Sequence, residues 1–195
     1  MAHAGDQLTN AATGQRLVFR QTTADTNGAL VEVESFLPAG QSAPPEHVHP
    51  FQEERVEVVS GIVFVRLGGR PCLLRAGDIL IVPPGVPHAI TNGGGDEAHL
   101  MWQASPALKT EAFLETMWGL AQAGKTDRHG VPGPFQRAVM MREFGNEIRL
   151  ARTPWTLQRA TFGLLAPLAR LLGYRPRYRY HVPYTRCPAA PPVVG

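Results

Sequence analysis

The chain has 195 residues, 44% of them hydrophobic, and a net charge of +3. That is enough for one domain core plus an extension, and no apolar run approaches the 18 residues a membrane-spanning helix needs. Two cysteines, Cys72 and Cys187, lie far apart with no CxxC spacing, which excludes a disulfide framework and suits a reducing cytoplasm.

The opening MAHAGDQLTNAATG lacks a basic segment followed by an apolar one, so no signal peptide is expected and the location expected is cytoplasmic. RLVFRQ (16–21) is short and rich in strand formers. Asn27-Gly28 marks a tight turn, and ALVEVESFL (29–37) alternates apolar and acidic residues with period two. Residues 55–69 predict two more strands broken near Ser60-Gly61. GDILIVPPG reads as a buried strand stopped by two prolines. HAITN and AHLMWQA complete the set, with glycines between them. Many short strands at regular spacing predict an antiparallel barrel or sandwich.

The pattern changes at Ser105. Ser105-Pro106 predicts a helix cap and first turn, and Phe113, Leu114, Met117, Trp118 and Ala121 recur at helical spacing until Gly124. A second helical segment is expected over 135–150. A third opens at Thr153-Pro154, is kinked or split by Pro167, and stops at Gly173. The Arg-, Tyr- and Pro-rich tail from Tyr174 is expected to be extended or loosely ordered. Charge divides the same way. Through Ala104 there are six arginines and no lysine against eleven acids; afterwards there are thirteen basic residues against five acids. Two regions follow, a β domain over 14–104 and a helical extension over 105–195.

The chemistry concentrates in EHVHPFQEERVEVVSG (46–61). His47 and His49 share one side of a strand, and Pro50 ends or kinks it. With a turn over 50–52, Glu54 starts the returning strand and shares its apolar face with Val56 and Val58. Glu53, Arg55 and Glu57 form a solvated charge row on the other face. His88, after the rigid Pro83–Pro87 turn, is the fourth candidate. His3, His99, His129 and His181 fit no ligand spacing and read as surface or loop residues.

The first segment runs Gly40, six residues, His47-x-His49, four residues, Glu54, six residues, Gly61. The second runs Gly77, five residues, Pro83-x-Gly85, two residues, His88, three residues, Asn92. Fifteen residues separate the two. This pattern resembles the two barrel motifs of the cupin superfamily, with one extra residue between Gly40 and His47. The resemblance covers roughly 14–104. It implies a mainly β fold, a cupin-type jelly-roll barrel followed by the helical extension. It also implies one divalent transition metal held by His47, His49, Glu54 and His88. Such a donor set suits Fe(II), Mn(II), Ni(II) or Zn(II) better than Ca or Mg, and Fe(II) is favoured with oxygen-using chemistry.

The resemblance further implies metal-dependent chemistry on a small organic substrate, with oxygen-using, dioxygenase-like oxidation preferred and Glu54 able to serve as a base as well as a ligand. An isomerase or epimerase is the second enzymatic reading, and a non-catalytic ligand sensor the alternative from another class. A homodimer is the family default. Gln52 and Asn92 are expected to orient the ligand histidines. Phe51 and Gln52 could gate the mouth, and Cys72, Met101 and Trp102 could line the pocket or the opposite packing face. The C-terminal region has three readings, a lid over the barrel, a contact with a second subunit, or an anionic membrane surface; the basic, Leu-rich third helix is expected to dock on its own barrel. The Arg/Tyr tail carries no recognition motif, so nucleic acid is not an expected partner.

Overall fold

The computed structural model describes residues 2–41 and 44–178. Ten strands come first: β1 (Gln7–Thr9), β2 (Arg16–Gln21), β3 (Val31–Leu37), β4 (His47–Val48), β5 (Glu53–Ser60), β6 (Ile62–Leu67), β7 (Arg70–Arg75), β8 (Ile79–Val82), β9 (His88–Asn92) and β10 (Ala98–Ser105). Then follow α1 (Thr110–Gln122), α2 (Pro134–Glu143), a late strand β11 (Arg149–Leu150) and α3 (Trp155–Leu171). The strands form two antiparallel sheets, in the orders β1-β2-β3-β10-β5-β8 and β11-β4-β9-β6-β7.

Alternation decides what each strand buries. In β3 Val31, Val33, Ser35 and Leu37 face inward, and the intervening Glu32, Glu34 and Phe36 are more open. Val56 and Val58 of one sheet meet Val63 and Val65 of the other in a shared core with Leu100. Burying such side chains contributes roughly 1.5–3 kcal/mol each. The β5–β6 hairpin depends on Gly61. Its φ is +85°, and a Cβ there would lie 2.8 Å from the Ala98 Cα. Only glycine fits.

The extension is built outward from the barrel. Leu114 and Trp118 of α1 pack with Phe19, Val31, Val33 and Ala104. Leu120 meets Met140 and Phe144 at α2, and Ala138 and Val139 of α2 meet Ala166 and Ala169 of α3. The extension then returns to the barrel. β11 pairs with β4, Leu150 opposite His47 and Arg149 opposite Val48. Gln158 of α3 secures that return. Its Nε2 donates to the Leu150 and Thr153 carbonyls, and its Oε1 accepts from the Leu150 N–H.

Several elements differ from the sequence reading. The six-stranded sheet starts before residue 14, because β1 pairs with β2. β7 was hidden by Pro71, which an edge strand tolerates. β8 is an edge strand, not a buried one; Ile79 and Ile81 are exposed. Ser105 ends β10 and donates to the Ala29 carbonyl, and α1 begins only at Thr110. The expected helix over 135–150 stops at Glu143, and its last residues form β11. α3 continues through Pro167 as one helix and packs on α2, leaving Leu157, Leu164 and Leu171 exposed. The readings of His181, Cys187 and the tail beyond Tyr178 lie outside the described residues. No helix of the described residues is long and apolar enough to cross a membrane.

Candidate metal centre

The structure brings His47, His49 and His88 together. One donor atom from each lies within 4.8 Å of the others, a geometry able to hold a metal ion. His47 sits directly opposite His88 on the β4–β9 pair. Pro50 then takes the chain across the barrel, so Glu54 enters from the opposite sheet on β5. His49, Glu54 and His88 are all below one-tenth exposed, His47 is half-buried, and Glu53 is exposed. The two edges of Glu54 are both used. Oε1 lies 3.1 Å from His49 Nε2, and Oε2 lies 2.5 Å from His88 Nε2.

Hydrogen bonds at the far side of two rings fix which nitrogen faces inward. The Nδ1–H of His47 donates to the Pro45 carbonyl at 3.0 Å, and that of His88 to the Val86 carbonyl at 3.0 Å. A carbonyl only accepts, so Nδ1 carries the proton and Nε2 keeps its lone pair. These backbone carbonyls do the orienting that the sequence reading gave to Gln52 and Asn92. Asn92 instead donates to the Leu37 and Asp96 carbonyls and shapes the glycine turn. Gln52 is fully buried and donates to the Pro106 and Ala107 carbonyls and to Thr110 Oγ1. It fastens the barrel to the start of α1 and is no gate.

Both ring nitrogens of His49 and the Oε2 of Glu54 are buried without an aligned hydrogen bond. Such atoms are costly to leave unsatisfied. Donor atoms gathered this closely suit a shared cation, and nitrogen-rich donors suit a transition metal over Ca or Mg. The electrostatics agree. Burial, with His49 and His88 beside it, lowers the His47 imidazole to about 4, so it is neutral and available as a ligand at neutral pH. Burial alone would raise the Glu54 carboxyl, but the flanking His49 and His88 rings outweigh it and hold it well below the usual carboxylate range. Burial opposes charge on His88 too, yet the adjacent Glu54 carboxylate raises that imidazole.

The centre lies in a cavity of about 310 Å³. Barrel residues supply one wall, among them Leu100 and Trp102. The extension supplies the other, through Phe113, Met117, Met140 and Ile148. Sequence reasoning allowed the extension to cover the barrel but named none of these wall residues, because α1, α2 and β11 reach the cavity only through tertiary packing. It also left Trp102 between two places. The indole lines the cavity, and its Nε1–H donates to Glu54 Oε1 at 2.9 Å. Cys72 packs at the barrel core instead, and Met101 is not among the cavity residues. Exposed Phe51 lies under the Arg149 guanidinium, 5.5 Å from its ring centre. His129 is a loop residue, as expected, but it borders the cavity.

Residues 33–103 match the family model of the cupin domain. SchB of Streptomyces halstedii is 34% identical over 91 residues, spanning 47% of this chain and 64% of that protein. The tetracenomycin polyketide synthase protein TcmJ of Streptomyces glaucescens is 30% identical over 109 residues, spanning 56% of this chain and 64% of that one. The chain thus matches less than two thirds of the length of these relatives. Among solved structures, an RmlC-like cupin from Shewanella frigidimarina is similar at 23% identity, over 53% of this chain and 86% of that one, with a TM-score of 0.45. A double-stranded β-helix protein from Klebsiella pneumoniae is similar at 25% identity, over 55% and 84%, with a TM-score of 0.42. The matched family model covers the barrel strands from β3 to β10, and both spaced motifs meet there in one buried cluster, so residues 33–103 are a cupin domain.

Proposed function

We propose that the chain is a metal-dependent enzyme that oxidises a small, largely apolar organic molecule with O₂. Its metal would be held by His47, His49 and His88 with Glu54 as the fourth ligand, Fe(II) before Mn(II), Ni(II) or Zn(II). One observation carries the reading: the unsatisfied histidine and glutamate atoms stand in an apolar cavity of about 310 Å³, the size of a small-ligand pocket. Bound there, the metal supplies Lewis acidity and, as iron, electrons for oxygen chemistry.

The chain's own residues do the rest. Phe113, Met117, Met140 and Trp102 exclude water and confine a flat, carbon-rich substrate. Glu54, released from its ligand position, would accept a proton from a substrate hydroxyl, and the Trp102 N–H keeps the carboxylate aimed inward. The name of one relative, the tetracenomycin polyketide synthase protein TcmJ, supports a polyketide-type substrate. Two copies of the chain would pair across the open β8 edge, where Ile79 and Ile81 are exposed.

The test is oxygen uptake by the iron-loaded chain with a panel of hydroxylated aromatic compounds. Substrate-linked uptake that is lost in Glu54→Ala supports the proposal. Saturable substrate binding with no uptake, by a fully loaded chain, would replace the oxidase with a binding module.

A further inference from the structure

A second cleft, of about 450 Å³, adjoins the metal cavity, and the two share Pro44, Pro45, Arg137 and Leu150 as walls. Three guanidinium groups border it: Arg66 of β6, Arg137 of α2 and Arg152 just after β11. One carboxylate accompanies them, Glu46, whose Oε2 lies 3.2 Å from Arg152 Nε. Among the described residues, Arg66 and Arg137 have no ion pair.

Arg137 is the least comfortable of the three. It is half-buried and stands in the first turn of α2, where no acidic residue is present. The positive end of a helix disfavours a cation there, so Arg137 lacks a counter-charge twice over. Of the remaining walls, Pro44, Pro45, Phe64, Ala89 and Leu150 are apolar, and Thr153 adds one hydroxyl. A guanidinium fork in such a setting matches the paired oxygens of a carboxylate or phosphate.

We propose that this cleft is an anion subsite, taking the carboxylate or phosphate group of a ligand with an apolar body. Arg137 grips the anion, Arg66 adds charge from the sheet, and the body lies along Pro44, Pro45 and Leu150. Because Arg137 borders both cavities, a ligand held there has its other end directed at the histidine cluster. That orientation rests on the enzymatic reading above; the anion subsite itself does not. The subsite also touches the centre through Pro45, which lines the cleft and whose carbonyl accepts from His47 Nδ1.

The experiment is calorimetric titration of the full chain with benzoate, phenyl phosphate and the neutral benzamide, before and after chelator treatment. Anionic probes are expected to bind with one site per chain, with or without metal, and benzamide to bind far more weakly. Arg137→Gln should weaken the anion about tenfold or more, and the exposed Arg66→Gln should weaken it less. Tighter binding of benzoate assigns a carboxylate, and tighter binding of phenyl phosphate assigns a phosphate; either supports the subsite. Equal affinity for benzoate and benzamide, or Arg66→Gln and Arg137→Gln both binding like the native chain, overturns it. An anion bound by a chain that never takes up metal would keep this inference and sink the enzymatic one. Full metal loading without anion binding would do the reverse.

Discussion

Trp102 donates its indole N–H to Glu54 Oε1 at 2.9 Å, from a neighbouring strand of the same sheet. That bond leaves Oε2 as the carboxylate oxygen beside His88, without an aligned hydrogen bond of its own. Trp102→Phe keeps the ring and removes the donor. Metal affinity, read by competition with a chromophoric chelator, should fall about 10-fold or more, the usual effect of losing a group that orients a ligand. Unchanged affinity would show that packing alone holds Glu54.

The neutral state of His47 has a pH signature. In the metal-free chain its folded pKa is lowered to about 4, from an ordinary 6.5. Below 6.5 the unfolded chain takes up this proton first, so the stability it contributes is full above that pH and is lost as pH falls toward 4. Glu54, held low, contributes stability that is lost only at still lower pH. His88, raised by Glu54, runs the opposite way and loses its contribution as pH rises. Melting temperatures of the metal-free chain should therefore fall more steeply between pH 6.5 and 4 than those of His47→Phe. Parallel curves would mean that His47 is not held neutral.

Gln158→Leu tests how the extension is held on the barrel. It leaves the Leu150 N–H and the Leu150 and Thr153 carbonyls without their side-chain partner. A buried group left unpaired costs about 1–3 kcal/mol. Hydrogen exchange should speed up at Leu150 and Val48, across the β4–β11 pair, with β6 unaffected. Uniform acceleration across the barrel would place the role of Gln158 in the global fold instead.

Gly61→Ala should destabilise by about 2 kcal/mol or more, since alanine meets both the positive φ and the Ala98 backbone. A thermal or denaturant melt reads it directly. An unchanged midpoint would mean that the β5–β6 turn can relax away from Ala98.

The histidine cluster was legible because a strand has period two. His47-x-His49 must share a side, and the parity of β5 sends Glu54 inward with Val56 while Glu53 faces solvent. The Pro50 turn then joins two sheets, which spacing alone could suggest. What could not be read depended on long-range pairing. β11 is two residues long and exists only against β4. Ser105 looked like a helix cap because Ser-Pro commonly is one, but its hydroxyl is taken by Ala29 across the sheet. The orienting carbonyls of Pro45 and Val86 have no side-chain signature at all. The cavity's second wall comes from residues as distant in sequence from His47 as Leu150, and ordinary helical periodicity does not reveal which core they complete.

The most direct test of the metal centre is the metal content of the full chain purified without added metal, measured by plasma mass spectrometry beside His88→Ala. The native chain should carry about one first-row transition-metal ion, iron foremost, and His88→Ala should carry only a small fraction of that. Equal content in the two chains, or none in the native chain even after anaerobic incubation with Fe(II), would contradict the assignment of this cluster as a metal centre.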